Sequence, residues 1–111
     1  MKLKEIIDKL PLKIVAGNES VDHEISGGYC GDLLSDVMAN AEKGAVWLTV
    51  QGHQNIVAVA LLRELAAIIL VNGHQPDQET VAKADEEGIC VLTTPLTGYR
   101  LAGKLYECGL I

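Results

Sequence analysis

The chain has 111 residues, 49% of them apolar and 22% charged, and a formal net charge of −6. That is enough for one modest core and too little for two, and the apolar share is that of a folded globule, not a disordered tail. The nine Lys and Arg residues are scattered, which excludes the basic stripe that neutralises nucleic-acid phosphates.

Leu3, Ile6, Ile7 and Leu10 recur at helical spacing before Pro11, which predicts a short amphipathic helix over Lys2–Leu10, and the mild basic excess of Lys2, Lys4, Lys9 and Lys13 reads as a solvated face. Leu12–Ala16 reads as a first strand and Gly17–Ser20 as a turn. Val21–Ile25 follows as a short second strand, and Gly27-Gly28-Tyr29-Cys30-Gly31 as a loop. Asp32 is placed to cap a helix reaching about Ala41, with Lys43-Gly44 as its basic last turn and C-cap. Ala45–Val50 then reads as a strand, Asn55–Leu65 as a helix, Ala67–Val71 as a strand and Asp77–Glu87 as a helix closed by Gly88. Ile89–Thr93 is a last strand, and Thr94-Pro95 supplies a capping hydroxyl and an N1 proline for a final helix through Leu101 and Leu105.

Strands alternate with helices and are nearly continuous in apolar residues, so the expected fold is a single-domain α/β open sheet, mostly parallel, with helices on both faces. Ile56 to Val71 is interrupted by Arg63-Glu64 and is shorter than the roughly 20 residues of a membrane crossing. The N-terminus Met1-Lys-Leu-Lys-Glu lacks an apolar signal core, so a cytoplasmic protein is expected. The run Ile56-Val57-Ala58-Val59-Ala60-Leu61-Leu62 is apolar nearly all round, which requires either full burial or a second copy, and a homodimer is expected.

Two segments echo each other after consecutive strands, Gln51-Gly52-His53-Gln54 and Asn72-Gly73-His74-Gln75. In a parallel sheet both leave the carboxyl edge, where open α/β folds bind ligands. Gly52, His53, Gln54, Asn72, Gly73, His74 and Gln75, joined by Thr93 and Thr94 of the next loop, are the candidate ligand-binding residues. Amides and hydroxyls suit a small polar or anionic ligand, although no Lys or Arg stands in these loops. Gly and Asn also serve tight turns and caps where nothing binds.

The cysteines, Cys30, Cys90 and Cys108, are odd in number and widely spaced, which argues for reduced thiols and against a disulfide framework. Cys90 reads as a small core residue, whereas Cys30, between glycines, is the one to test for reactivity. An enzyme or redox reading would use Cys30 with His53 or His74, and the same groups are the only basis for a metal site; no local metal-ligand spacing supports it. No phosphate-binding loop or dinucleotide fingerprint is present, so no cofactor and no ATP-driven catalysis are expected.

Residues Gly27–Met38, Val46–Gln51, Asn55–Ala60 and Ile69–Pro76 carry a resemblance to the DRTGG domain family, which is similar to the N-terminal domain of HPr kinase/phosphorylase. The resemblance spans most of residues 1–111 and implies a compact α/β accessory module that dimerises and has no catalytic residues of its own. Gly52-His53-Gln54 stands where that family has Gly-Asp-Arg, and Asn72-Gly73-His74 where it has Thr-Gly-Gly. A non-catalytic regulatory or ligand-sensing module is therefore the leading expectation. The alternatives are a small Cys/His redox or metal enzyme and a structural assembly partner that contributes the Asn55–Leu65 helix.

Overall fold

A computed structural model describes all residues from Met1 to Ile111. Its elements, in chain order, are α1 (Leu3–Lys9), β1 (Lys13–Ala16), a single 3-10 turn (Asn18–Ser20), β2 (Gly27–Cys30), α2 (Leu34–Asn40), β3 (Ala45–Thr49), α3 (Asn55–Arg63), β4 (Ala67–Leu70), α4 (Gln78–Glu87), β5 (Cys90–Thr93) and α5 (Gly98–Glu107). The strands form one sheet in the order β1-β5-β4-β3-β2. β2, β3, β4 and β5 run parallel, and β1 closes the far edge antiparallel to β5.

From β2 to β5 each crossover advances one place across the sheet in the same direction. Connections of one hand therefore lay α2, α3 and α4 on a single face. There Val37, Ile56, Val57, Ala60 and Ala84 pack on Trp47, Ile68, Leu70 and Val91. On the other face α1 and α5 bury Leu3, Ile6, Leu101 and Leu105 against Val46, Leu48, Ile69 and Leu92. Successive strand residues thus feed opposite cores, as the two-residue period of a strand requires. Because both faces are covered, β3, β4 and β5 are buried throughout, which explains their unbroken apolar sequences.

Several local expectations give way to tertiary contacts. Gly27–Cys30 is no loop but the edge strand β2, in register from Gly27 opposite Ala45 to Cys30 opposite Leu48; the open ladder of β3 overrides the poor strand propensity of glycine. Val21–Ile25 is not a strand. Its carbonyls instead cap α1, with Leu3 N–H donating to His23 O and Lys4 N–H to Val21 O, and so satisfy first-turn donors that a helix cannot pair internally. α2 ends at Asn40, before Lys43-Gly44. Its freed Ala41 carbonyl accepts from Arg63 Nε and Nη2 at 3.2 and 2.9 Å. The cap of α5 is Thr97, whose hydroxyl accepts from Arg100 N–H, and not Thr94. α3 turns Ile56, Val57, Val59 and Ala60 inward and leaves Leu61 and Leu62 at the surface, so most of its apolar sequence is covered within the chain. No helix is long and apolar enough to cross a membrane.

Candidate functional site

All four parallel strands end on one edge of the sheet, and the connections leaving it do not all go the same way. The loop after β4 leads to α4 on one face, whereas the loop after β5 leads to α5 on the other. Neighbouring loops that diverge in this way define a topological switch point, the place where open parallel sheets form a crevice outside their carboxyl ends. A groove of about 350 Å³ lies there. Gly73 and Gln75 line it from the β4 loop, Thr93, Thr94 and Pro95 from the β5 end, and Leu10, Pro11, Leu12 and Lys13 from the chain entering β1.

Two left-handed residues and two cross-loop bonds shape the backbone beside this groove. Asn72 and Gly73 both take left-handed conformations, at φ 58° and 74°, which Asn and Gly adopt at least cost. The turn they form aims Asn72 N–H at Leu96 O, 2.7 Å away, and Gly73 N–H at Thr94 O, 2.9 Å away. The two loops are thereby held together. Lys13 stands directly opposite Thr93 in the β1–β5 ladder. It supplies the cation that the loops themselves lack and that loop sequences alone did not disclose.

The remaining candidates sit elsewhere on the same edge. Gly52 is a tie between loops: its carbonyl accepts from Asp77 N–H at 3.0 Å and from the Thr80 hydroxyl at 2.6 Å. A Cβ at Gly52 would come within 2.8 Å of Gln75 O, so this position has no room for a side chain. His53 Nδ1 accepts from Asn55 N–H at 3.2 Å, a local cap at the start of α3. His53 and Gln54 are exposed in the β3 loop and His74 in the β4 loop, and none of the three lines the groove. Of the echoed segments the groove thus takes only Gly73 and Gln75.

Asp32 organises the other half of the edge. Instead of capping α2, whose N-cap is Leu33 without a side-chain bond, its Oδ1 accepts from the Thr49 hydroxyl at 2.7 Å and from Val50 N–H at 2.9 Å. Gln51 Nε2 donates to its main-chain carbonyl. The end of β2 is thereby fastened to the β3 loop.

Cys30 is exposed, but its thiol lacks the lowered pKa of an activated nucleophile. Burial and the neighbouring Asp32 charge both push its pKa above the ordinary value of 9.0, so at neutral pH it is protonated and a poor nucleophile. Nowhere do three His, Cys, Asp or Glu side chains gather as metal ligands would. The largest cavity, about 490 Å³, lies along the outer side of β1 and the turn after it, lined by Glu19 and Asp85 among others. Asp85 already accepts Gly17 N–H there at 2.8 Å. We assign the site to the smaller groove because it alone combines the carboxyl edge, a switch point and a free cation.

Fold and groove define a class, an α/β domain with two covered faces and a crevice at its carboxyl edge. Within that class, the fold matches the CBS and DRTGG domains of the regulatory region of Clostridium perfringens pyrophosphatase, solved in complex with its activator, diadenosine tetraphosphate, at a TM-score of 0.73 and 20% identity. The match covers 94% of this chain and 45% of that one, so the present chain corresponds to less than half of that regulatory region. No protein-family model and no curated protein matches the sequence. The likeness shows the α/β fold expected from the sequence; the expected link to HPr kinase/phosphorylase has no counterpart in it.

Proposed function

We propose that this chain is a non-catalytic regulatory module that senses a small polar ligand in the switch-point groove. The observation that carries this reading is the convergence of Lys13, Gly73, Gln75, Thr93 and Thr94 at the one place where the topology opens a crevice. The regulatory region that shares the fold was solved with a nucleotide activator, which favours sensing over catalysis. The competing Cys30 enzyme is disfavoured by a thiol held protonated. Tyr99, Tyr106, Leu61 and Leu62 leave large apolar surface in water, and we include self-association in the proposal, to be read by light scattering.

Thermal unfolding against nucleotides, phosphorylated metabolites and divalent metals tests the sensing function. A ligand present at 100 times its dissociation constant stabilises the fold by about 2.7 kcal/mol, and a specific rise with one class is the expected result. A flat response across all classes overturns ligand sensing and leaves regulation through a partner protein.

A further inference from the structure

The groove carries one cation and two hydroxyls that can donate. Thr93 is 95% buried, at 5% exposure, yet its hydroxyl makes no hydrogen bond within the chain. No fully enclosed polar side-chain atom in the molecule lacks a partner, so the surface that the Thr93 hydroxyl retains is the part facing the groove it lines. The Thr94 oxygen accepts from Leu96 N–H at 3.2 Å, and its own O–H is left to donate. Lys13 forms no ion pair, although acidic residues outnumber basic ones in this chain by fifteen to nine. No carboxylate lines the groove.

We infer that this groove takes a small oxyanion, a phosphate or carboxylate group, with the Lys13 ammonium supplying the charge and the Thr93 and Thr94 hydroxyls donating to its oxygens. The inference rests on the sensing function proposed above and specifies its ligand class. A cationic ligand would be repelled by the Lys13 ammonium and a neutral one would leave that charge without a counter-ion, whereas an anion meets both the charge and the hydroxyl donors. An oxyanion accepts from all three at once, and charge-assisted bonds of this kind are about twice as strong as neutral ones. Gln75, at the rim, completes the set with an amide that can donate or accept, which suits the remainder of a ligand extending outward.

The test is a titration of the full chain with inorganic phosphate and, separately, with adenosine, followed by amide chemical shifts. Phosphate is expected to move Lys13, Gly73, Gln75, Thr93 and Thr94 together. Lys13→Gln is expected to weaken phosphate binding by about tenfold, and Thr93→Val to weaken it as well, whereas Lys104→Gln on the outer surface of α5 leaves it unchanged. Thr93→Val is nearly isosteric and orphans no protein group; should it nevertheless fail to fold, the exposed Lys13→Gln carries the test. Adenosine shifts in the groove without phosphate shifts overturn the oxyanion assignment and keep the sensing function. Phosphate binding indifferent to Lys13→Gln overturns it too, and silence from both probes removes the site together with the inference.

Discussion

Replacing Asp32 by alanine removes the acceptor that fastens β2 to the β3 loop. Two donors lose their partner, and they differ in what happens next. Val50 lies at the surface, so water replaces its lost bond at a cost of about 0.5–1 kcal/mol. Thr49 is only 2% exposed, so its hydroxyl donor is stranded, which costs about 1–2 kcal/mol. The total is about 2 kcal/mol. For a domain of this size that lowers Tm by about 8 °C, at about 4 °C per kcal/mol. Asp32→Asn keeps an acceptor oxygen and should lose about half as much. Chemical denaturation of Asp32→Ala, Thr49→Val and the double variant measures the coupling directly. Because the bond is shared, the double variant should be less destabilised than the sum of the two by about 1 kcal/mol. Strict additivity, or a loss below about 0.5 kcal/mol for Asp32→Ala, refutes the view that this carboxylate organises the edge.

Further outcomes follow from single features. Gly17 sits at φ 65°, where an added Cβ would lie 2.2 Å from Ile89 O; Gly17→Ala should cost more than about 3 kcal/mol or abolish soluble expression. Gly73→Ala, at φ 74° with nothing within 4 Å of the added atom, should cost only about 1 kcal/mol in a urea melt. Burial pushes the Cys90 thiol up from 9.0 to about 11. The unfolded chain therefore releases its proton first, and stability falls as pH rises from 9 through 11; the Cys90→Ala variant should lose this slope in denaturation curves across that range. Cys30 alkylation by iodoacetamide should rise with pH along a curve displaced above that of a free cysteine, and a rate already at its plateau at neutral pH would restore the redox alternative.

Much of the fold could be read locally. Leu3, Ile6 and Leu10 marked α1, Gly88 closed α4 in the left-handed conformation at φ 70°, and the buried strands declared themselves through apolar runs. Apart from the α5 cap, what misled was a contact remote in sequence. Gly27-Gly28 has the composition of a loop and becomes a strand because β3 offers it a ladder. Asp32 has the position of a helix cap and serves residues 17 and 18 places further on. Val21–Ile25, flanked by turn residues and read as a short strand, serves as the cap of α1.

The candidate site divides along the same line. Repeated Gly-His-Gln segments pointed to the carboxyl edge, since any loop leaving a parallel strand emerges there, and the groove does hold Gly73, Gln75, Thr93 and Thr94. The histidines, the most chemically suggestive members of that pattern, lie outside it. Alternation and apolar strands by themselves determined the α/β class, the parallel sheet and the edge at which to look, because periodicity and burial are written residue by residue. Only the tertiary structure decided that the groove lies beside the β4 and β5 loops and that Lys13 lines it. Strand order and the face chosen by each helix depend on how the whole chain packs, and Lys13 meets Thr93 only through an antiparallel pairing across eighty residues of sequence.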